Sequence, residues 1–113
     1  VGESTASLTI TAGLHASTAV AVDLDGNIYV ANGRDKKLRG SITVYRNGQT
    51  TVWRTIHSGI TFPGALAFDG SGRLYVANIP RKGANTIAVF AGGSRPVHTY
   101  RLTEQFSALA VPR

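Results

Sequence analysis

The chain contains no cysteine, which excludes disulfide bonds and thiolate chemistry. It has no uninterrupted apolar run of about 18 residues, so no transmembrane helix is expected. The catalytic motifs Gly-x-Ser-x-Gly, the P-loop and His-Glu-x-x-His are also missing from the sequence. Because a cysteine-free chain fits either redox compartment, the location stays open, with an extracytoplasmic or secreted location slightly favoured.

Charged residues are scarce, at 16% of the 113 residues, whereas 42% are hydrophobic, so the chain is globular rather than disordered. Twelve Lys and Arg residues face six Asp and Glu residues, for a net charge of +6. This balance favours acidic partners such as nucleic acid, anionic lipid or anionic glycan, and it equally serves solubility alone. The sequence begins with Val1 and shows no signal segment, so we expect a processed form or a piece of a longer protein.

A duplicated segment organises the residues that are present. Residues 23–32 are Asp-Leu-Asp-Gly-Asn-Ile-Tyr-Val-Ala-Asn, and 46 residues later, at 69–78, stands Asp-Gly-Ser-Gly-Arg-Leu-Tyr-Val-Ala-Asn. Aligned without a gap, residues 8–32 and 54–78 are identical at 11 of 25 positions. The spacing falls in the range of propeller and solenoid repeats.

Short apolar or alternating segments bounded by turn residues predict β-strands, and no stretch has the helical period. Dipeptides such as Asp25-Gly26 and Asn47-Gly48 predict tight turns between them. Four short strands per repeat, joined by such turns, are typical of a propeller blade. The predicted fold class is therefore all-β, with strands at 6–11, 19–23, 28–31, 41–45, 51–56, 64–68, 73–78, 86–90, 97–102 and 108–111.

The chain resembles the NHL and YVTN family of β-propellers. The resemblance lies in Ala-Val-Asp-x-Asp-Gly-Asn-Ile-Tyr-Val-Ala-Asn at 21–32 and Ala-Phe-Asp-x-Ser-Gly-Arg-Leu-Tyr-Val-Ala-Asn at 67–78. It extends over nearly the whole chain and implies a β-propeller built of four-stranded antiparallel blades. Residues 1–113 would then be part of one propeller, with about two complete blades and parts of two others. We expect an outer strand at 6–11, blade repeats at 19–56 and 64–102, and the inner strand of a further blade at 107–111.

Two blades alone would leave apolar blade faces open to water, and such repeats need about three or more neighbours. We therefore expect the ring to be completed by more chain or by self-association, for example as a trimer. The expected core consists of Ile10, Val20, Val22, Ile28, Val30, Ile42, Val44, Ile56, Leu66, Phe68, Leu74, Val76, Ile87, Val89 and Leu109.

The two long loops between the second and third strands of each repeat are expected to emerge at one rim. They hold half of the twelve basic residues: Arg34, Lys36, Lys37, Arg39, Arg81 and Lys82. Some NHL proteins bind RNA on a basic face, so the resemblance implies a nucleic acid as one candidate partner. The predicted function is a non-catalytic binding or scaffold module that engages a protein or an anionic polymer, RNA or glycan, through this rim. The alternative is that these side chains are solvated and idle, since beside the loops no aromatic side chains offer stacking for bases.

The enzymatic alternative is a metal-dependent lactonase- or lyase-like propeller with its site at the central channel. Asp23 and Asp69 could bind a metal or act as a base, although an Asp beside a turn more commonly accepts backbone N–H bonds. Gluconolactonase-like propellers hold a divalent metal with Glu, Asn and Asp, and here Asn32 and Asn78 alone echo that set. We therefore predict no catalytic residue, no metal site and no cofactor.

Two aromatic residues lie on predicted outer strands. Packing between blades would account for Trp53 and Tyr100, and an aromatic platform for a sugar is the alternative.

Overall fold

The structure, a computed structural model, describes residues 17–33, 40–80 and 84–102. Within these ranges the chain forms β-strands and no helix, which confirms the predicted all-β class. No described segment is a helix long and apolar enough to span a membrane. The strands are β1 (Ser17–Val22), β2 (Ile28–Asn32), β3 (Ser41–Tyr45), β4 (Arg54–Ile56), β5 (Pro63–Phe68), β6 (Leu74–Asn78), β7 (Asn85–Phe90) and β8 (His98–Leu102).

The strands form two four-stranded antiparallel sheets, each in sequential order, β1-β2-β3-β4 and β5-β6-β7-β8. Each sequence repeat therefore corresponds to one sheet. The registers agree as well, since Val20 pairs with Val30 in the first sheet and Leu66 with Val76 in the second. Strand β4 covers only the last half of the predicted 51–56. The strands predicted at 6–11 and 107–111 lie outside the described residues.

The same turn joins the first two strands of each sheet. The Gly26 N–H donates to the Asp23 carbonyl and the Gly72 N–H to the Asp69 carbonyl, both at 3.1 Å. Gly26 and Gly72 adopt φ values of 84° and 85°, which glycine reaches without the steric penalty of a Cβ. The Asp-x-x-Gly pattern thus predicted both turns correctly.

One apolar core lies between the two sheets. Strand β1 lies against β5, and the Thr18 hydroxyl donates to the Pro63 carbonyl at 2.7 Å. The ring of Tyr29 meets that of Phe68 edge to face, with 4.9 Å between centroids. The buried cluster comprises Tyr29, Ala31, Ile42, Val44, Ile56, Ile60, Phe68, Leu74, Val76, Ala88 and Phe90.

Most of the predicted core residues are confirmed, but the prediction for those on β1 is wrong. Val20 and Val22 are 62% and 56% exposed. Side chains alternate along β1, so Ala19 and Ala21 pack toward the core whereas the two valines point to the opposite face. Ile28, Leu66 and Ile87 are half-buried, and Ile10 and Leu109 lie outside the described residues. The buried members are Val30, Ile42, Val44, Ile56, Phe68, Leu74, Val76 and Val89.

Candidate functional site

The two sheets present two different edges. The turn edge carries the β1–β2 and β5–β6 turns together with the β3–β4 and β7–β8 hairpins. The loop edge carries the ends of β2 and β6, the starts of β3 and β7, and the β4–β5 connection at 57–62. Because antiparallel neighbours reverse direction at each connection, alternate connections gather at the same edge.

The predicted basic residues lie outside the described residues. These are Arg34, Lys36, Lys37, Arg39, Arg81 and Lys82. The residues that flank the loops are placed: the Gly40 N–H donates to the Thr61 carbonyl at 3.2 Å, and the Ile79 N–H to the Phe62 carbonyl at 2.9 Å. Both loops are therefore attached beside the 57–62 connection.

Gly40 shows how closely the first loop approaches that connection. A Cβ at this position would lie 2.5 Å from the Pro63 ring and 2.7 Å from the Thr61 carbonyl oxygen. No larger residue fits without moving backbone, so glycine is required at the end of the loop.

Two buried asparagines secure the same edge. The Asn78 side chain accepts a bond from the Thr61 N–H at 3.0 Å and donates to the Gly59 carbonyl at 2.9 Å. The Asn32 amide donates to the hydroxyls of Ser41 and Thr43 at 3.3 and 3.2 Å. Each asparagine is 1% exposed. These bonds give Asn32 and Asn78, the residues that echo a metal-binding set, a structural part in the loop edge.

At the turn edge, Asp69 receives four hydrogen bonds from its own turn and the following strand. Its Oδ1 accepts from the Ser71 and Arg73 N–H groups at 2.9 and 3.0 Å, and its Oδ2 from Arg73 Nε and the Tyr75 hydroxyl. The Arg73 backbone bond is the main cause that holds the pKa of Asp69 below its ordinary value, against the opposing effect of burial. Burial, and then the bond to Asp69, raise the pKa of Tyr75.

Asp23 repeats this arrangement in the first sheet. Its Oδ1 accepts from the Asp25 and Asn27 N–H groups, both at 2.9 Å, and its Oδ2 from the Asn27 amide at 3.1 Å. Across the described part of the chain, no three His, Cys, Asp or Glu residues lie together as a metal site would require. The geometry gives both aspartates the turn-forming role that was the commoner expectation.

Sequence interpretation did not predict the shallow cavity of about 540 Å³ on the β3–β4 hairpin, although it kept an aromatic platform for a sugar at Trp53 as the alternative. Its lining consists of Arg46, Asn47, Gln49, Thr51, Val52 and Trp53. The Trp53 side chain is 48% exposed, so packing between sheets does not account for it. The Asn47-Gly48 turn, which folds Arg46 back toward Trp53, was the signal that could have revealed this site.

Two guanidinium groups lie over the Trp53 ring, with Arg46 Cζ at 4.8 Å and Arg54 Cζ at 5.4 Å from its centroid. Arg54 is held by bonds from its Nη atoms to Ser94 Oγ at 3.2 Å and to the Tyr29 hydroxyl at 3.3 Å. Its Nε is buried and has no hydrogen-bond partner among the described residues. Within the described residues neither arginine forms an ion pair.

Comparisons of the chain with protein-family models, with curated proteins and with solved structures return no match.

Proposed function

We propose that the chain is a non-catalytic binding or scaffold module, built as part of a β-propeller, that engages an anionic macromolecule through its loop rim. The loop rim is the surface formed by the 57–62 connection and the two basic loops, with Arg34, Lys36, Lys37, Arg39, Arg81 and Lys82. The observation that carries the proposal is the difference between the framework and the loops at the loop edge. The described side chains hold the framework together, whereas the attached loops at 33–40 and 79–85 share basicity but differ in sequence.

The propeller part of the proposal is supported by the way the sheets meet. The first sheet packs with the face that carries Tyr29 and Val44. The second sheet packs with its other face, which carries Phe68 and Leu74, and turns Tyr75, the equivalent of Tyr29, away. The interface thus joins unlike faces of two equivalent units, as in a head-to-tail ring.

At one end of the pair, strand β1 leaves Val20 and Val22 exposed. Val22 is the equivalent of Phe68, and it is 56% exposed whereas Phe68 is 7% exposed. We propose that a further sheet covers Val20 and Val22 as the first sheet covers Phe68. That sheet comes from more chain or from a second copy, and repetition of the step closes a ring.

Light scattering of the 113-residue chain tests this step. We expect particles larger than the 11.9 kDa monomer, and we expect Val20→Asp to reduce their mass without loss of the β-sheet signal. A matched change on the exposed hairpin, Val97→Asp, should leave the mass unchanged. A well-folded, soluble monomer of the unchanged chain would contradict completion of the ring by self-association.

The positive charge of the chain supports an anionic partner. A net charge of +6, half of the basic residues on two loops, and anchoring of both loops beside one connection favour an anionic partner. The lactonase- or lyase-like alternative stays a prediction from the sequence, and no described geometry favours it.

Charge reversal tests the loop rim directly. Changing Arg34, Lys36, Lys37 and Arg39 to Glu should weaken binding of an anionic polymer such as single-stranded RNA or heparin while the melting temperature is kept. For RNA, the slope of log affinity against log salt should flatten by roughly 0.7 for each phosphate that the variant no longer neutralises. A charge-matched pair separates the rim from net charge: Lys36→Glu with Lys37→Glu should weaken binding more than Arg95→Glu with Arg101→Glu. Equal effects of the two pairs would remove the loop-rim proposal.

A further inference from the structure

We infer that the cavity around Trp53 on the β3–β4 hairpin is a binding site for an acidic saccharide, a sugar unit that carries a carboxylate. The site lies at the turn edge and is separate from the loop rim. It therefore stands or falls independently of the proposed function.

Exposure of Trp53 is the first observation. Trp53 and Val97 occupy equivalent positions in the two hairpins. The backbone N–H of Trp53 donates to the Val44 carbonyl at 2.8 Å, and that of Val97 donates to the Val89 carbonyl at 2.7 Å. Val97 is 63% exposed even though its sheet packs against the first sheet. A further sheet that packed against β1 in the way that the first sheet packs against β5 would therefore leave Trp53 exposed, as Val97 is. The exposed half of the Trp53 side chain is therefore available for contact with a ligand, beside the two guanidinium groups that lie over the ring.

The second observation is unpaired positive charge. Arg46 and Arg54 lie over the Trp53 ring, the described residues of the cavity lining include no carboxylate, and neither arginine has an ion-pair partner among the described residues. Arg54 is engaged by neutral hydroxyl groups of Ser94 and Tyr29. Arg46 is the more exposed of the two arginines and lines the cavity, so its guanidinium is the group that would bind a carboxylate. The planar guanidinium can donate two parallel hydrogen bonds to the two carboxylate oxygens.

The remaining lining residues suit hydroxyl groups. Asn47, Gln49 and Thr51 supply amide and hydroxyl groups that both donate and accept hydrogen bonds. A volume of about 540 Å³ lies within the usual range of small-ligand pockets. A sugar ring with a carboxylate combines the three features the cavity can recognise: an apolar ring face, hydroxyl groups and a negative charge.

The hairpin that carries the cavity is held in place. The Asn47 N–H donates to Asn27 Oδ1 at 3.0 Å, and its side-chain amide donates to the Asp25 carbonyl at 3.1 Å. The Gln49 N–H donates to the Arg46 carbonyl at 2.9 Å. These bonds fix the hairpin against the β1–β2 turn before any ligand arrives, which lowers the entropic cost of binding.

A saccharide fits the site better than a single-stranded nucleic acid does. Sequence-tolerant binding of such strands uses aromatic platforms for successive bases. On the neighbouring hairpin the position of Trp53 is held by Val97, and that of Arg46 by Ala91, so the platform is not repeated in the second sheet.

Trp53 is the single tryptophan of the chain, so its fluorescence reports on the site directly. Titration of the 113-residue protein with a galacturonic acid trisaccharide should give a saturable change in this fluorescence. The methyl-esterified trisaccharide, which lacks the charge, should bind about tenfold more weakly, the equivalent of one charge-assisted contact. An oligothymidylate of equal charge should also bind more weakly than the acidic trisaccharide.

Three variants complete the test, with calorimetry as the readout for all of them. Arg46→Ala should weaken trisaccharide binding about tenfold, and Trp53→Val, which installs the residue type of the equivalent hairpin position, should abolish it. Arg95→Ala, on the β7–β8 hairpin, is the control and should leave affinity unchanged. The inference is overturned if no saturable binding occurs, if Arg46→Ala and Arg95→Ala act alike, or if the oligothymidylate binds more tightly through Trp53 and Arg46.

Discussion

Strands β1 and β5 occupy the same place in the two sheets, yet their large side chains have different surroundings. Val22 is 56% exposed, whereas its equivalent Phe68 is 7% exposed and packs against Tyr29 of the other sheet. The two positions have the same register with the next strand, Val22 with Ile28 and Phe68 with Leu74. The difference shows that burial in this repeat depends on the neighbouring sheet rather than on the strand itself.

The two outer hairpins differ in a second way. In the first sheet, Asn47 bonds the hairpin to the β1–β2 turn, and two arginines lie over the Trp53 ring. In the second sheet, the hairpin contains Gly92 and Gly93, and a Cβ on either glycine would meet no atom within 4 Å. Two equivalent sheets therefore carry one hairpin that is bonded to a turn of its own sheet and one whose Ser94 is bonded to Arg54 of the other sheet.

The largest difference in stability is expected between a substitution in the buried core and one on the exposed face of β1. Val76→Asp places an unpaired carboxylate at a fully buried position, which costs more than about 4 kcal/mol and should abolish the folded state. Val20→Asp, at a position 62% exposed, should change the stability of the monomer by less than about 0.5 kcal/mol. Far-UV circular dichroism and thermal melting measure both. Because the proposed assembly would cover Val20, both variants are compared at a protein concentration at which light scattering shows the monomer, and similar losses there would contradict the exposure of Val20.

A smaller effect should separate the two Asp-x-x-Gly turns. Gly26→Ala and Gly72→Ala each place a Cβ at a positive φ, a strain of about 1–2 kcal/mol. At Gly26 the added Cβ would also lie 2.5 Å from Asn47 Nδ2, whereas at Gly72 it meets no atom within 4 Å. Gly26→Ala should therefore destabilise more, by about one further hydrogen bond or 0.5–1.5 kcal/mol. Urea unfolding of the two variants measures the difference, and equal losses would show that Asn47 does not anchor the hairpin.

The smallest effect concerns pH. Because the pKa of Asp69 lies below its ordinary value of 3.8 in the folded protein, its ionised form stabilises the fold above that value. This contribution is lost as the pH falls through the lowered pKa of the folded state. Asp69→Asn keeps an acceptor oxygen for the turn but has no charge to lose. The free energy of unfolding of this variant should therefore fall less than that of the unchanged protein between about pH 5 and pH 2.

Urea midpoints across that pH range provide the measurement. Asp25→Asn is the matched control, since Asp25 takes part in the described turn bonds through its backbone. A pH dependence that is the same in Asp69→Asn and in the unchanged protein would remove the assigned role of the carboxylate.

Local patterns in the sequence were enough to predict the strands and turns of the described residues. Alternation, Asp-x-x-Gly and the 46-residue repeat predicted ten strands, and the eight that fall on described residues form two equivalent sets, because strand pairing and turn geometry depend on residues close in the chain. They also predicted most of the buried positions, since the inner strands β2, β3, β6 and β7 are paired on both sides within their own sheet. Whether the sheets form part of a propeller of the NHL or YVTN type stays a prediction.

The tertiary structure decided what the pattern could not. The burial of Phe68 and the exposure of Val22 follow from which face meets another sheet, and both residues are apolar members of the same motif position. The Trp53 cavity likewise depends on contacts between Arg46, Trp53 and Arg54 across a hairpin, and on the Asn47 bonds to a turn about twenty residues earlier. Side-chain periodicity determines which residues share a face, but contact between distant segments determines whether that face is covered, charged or open to a ligand.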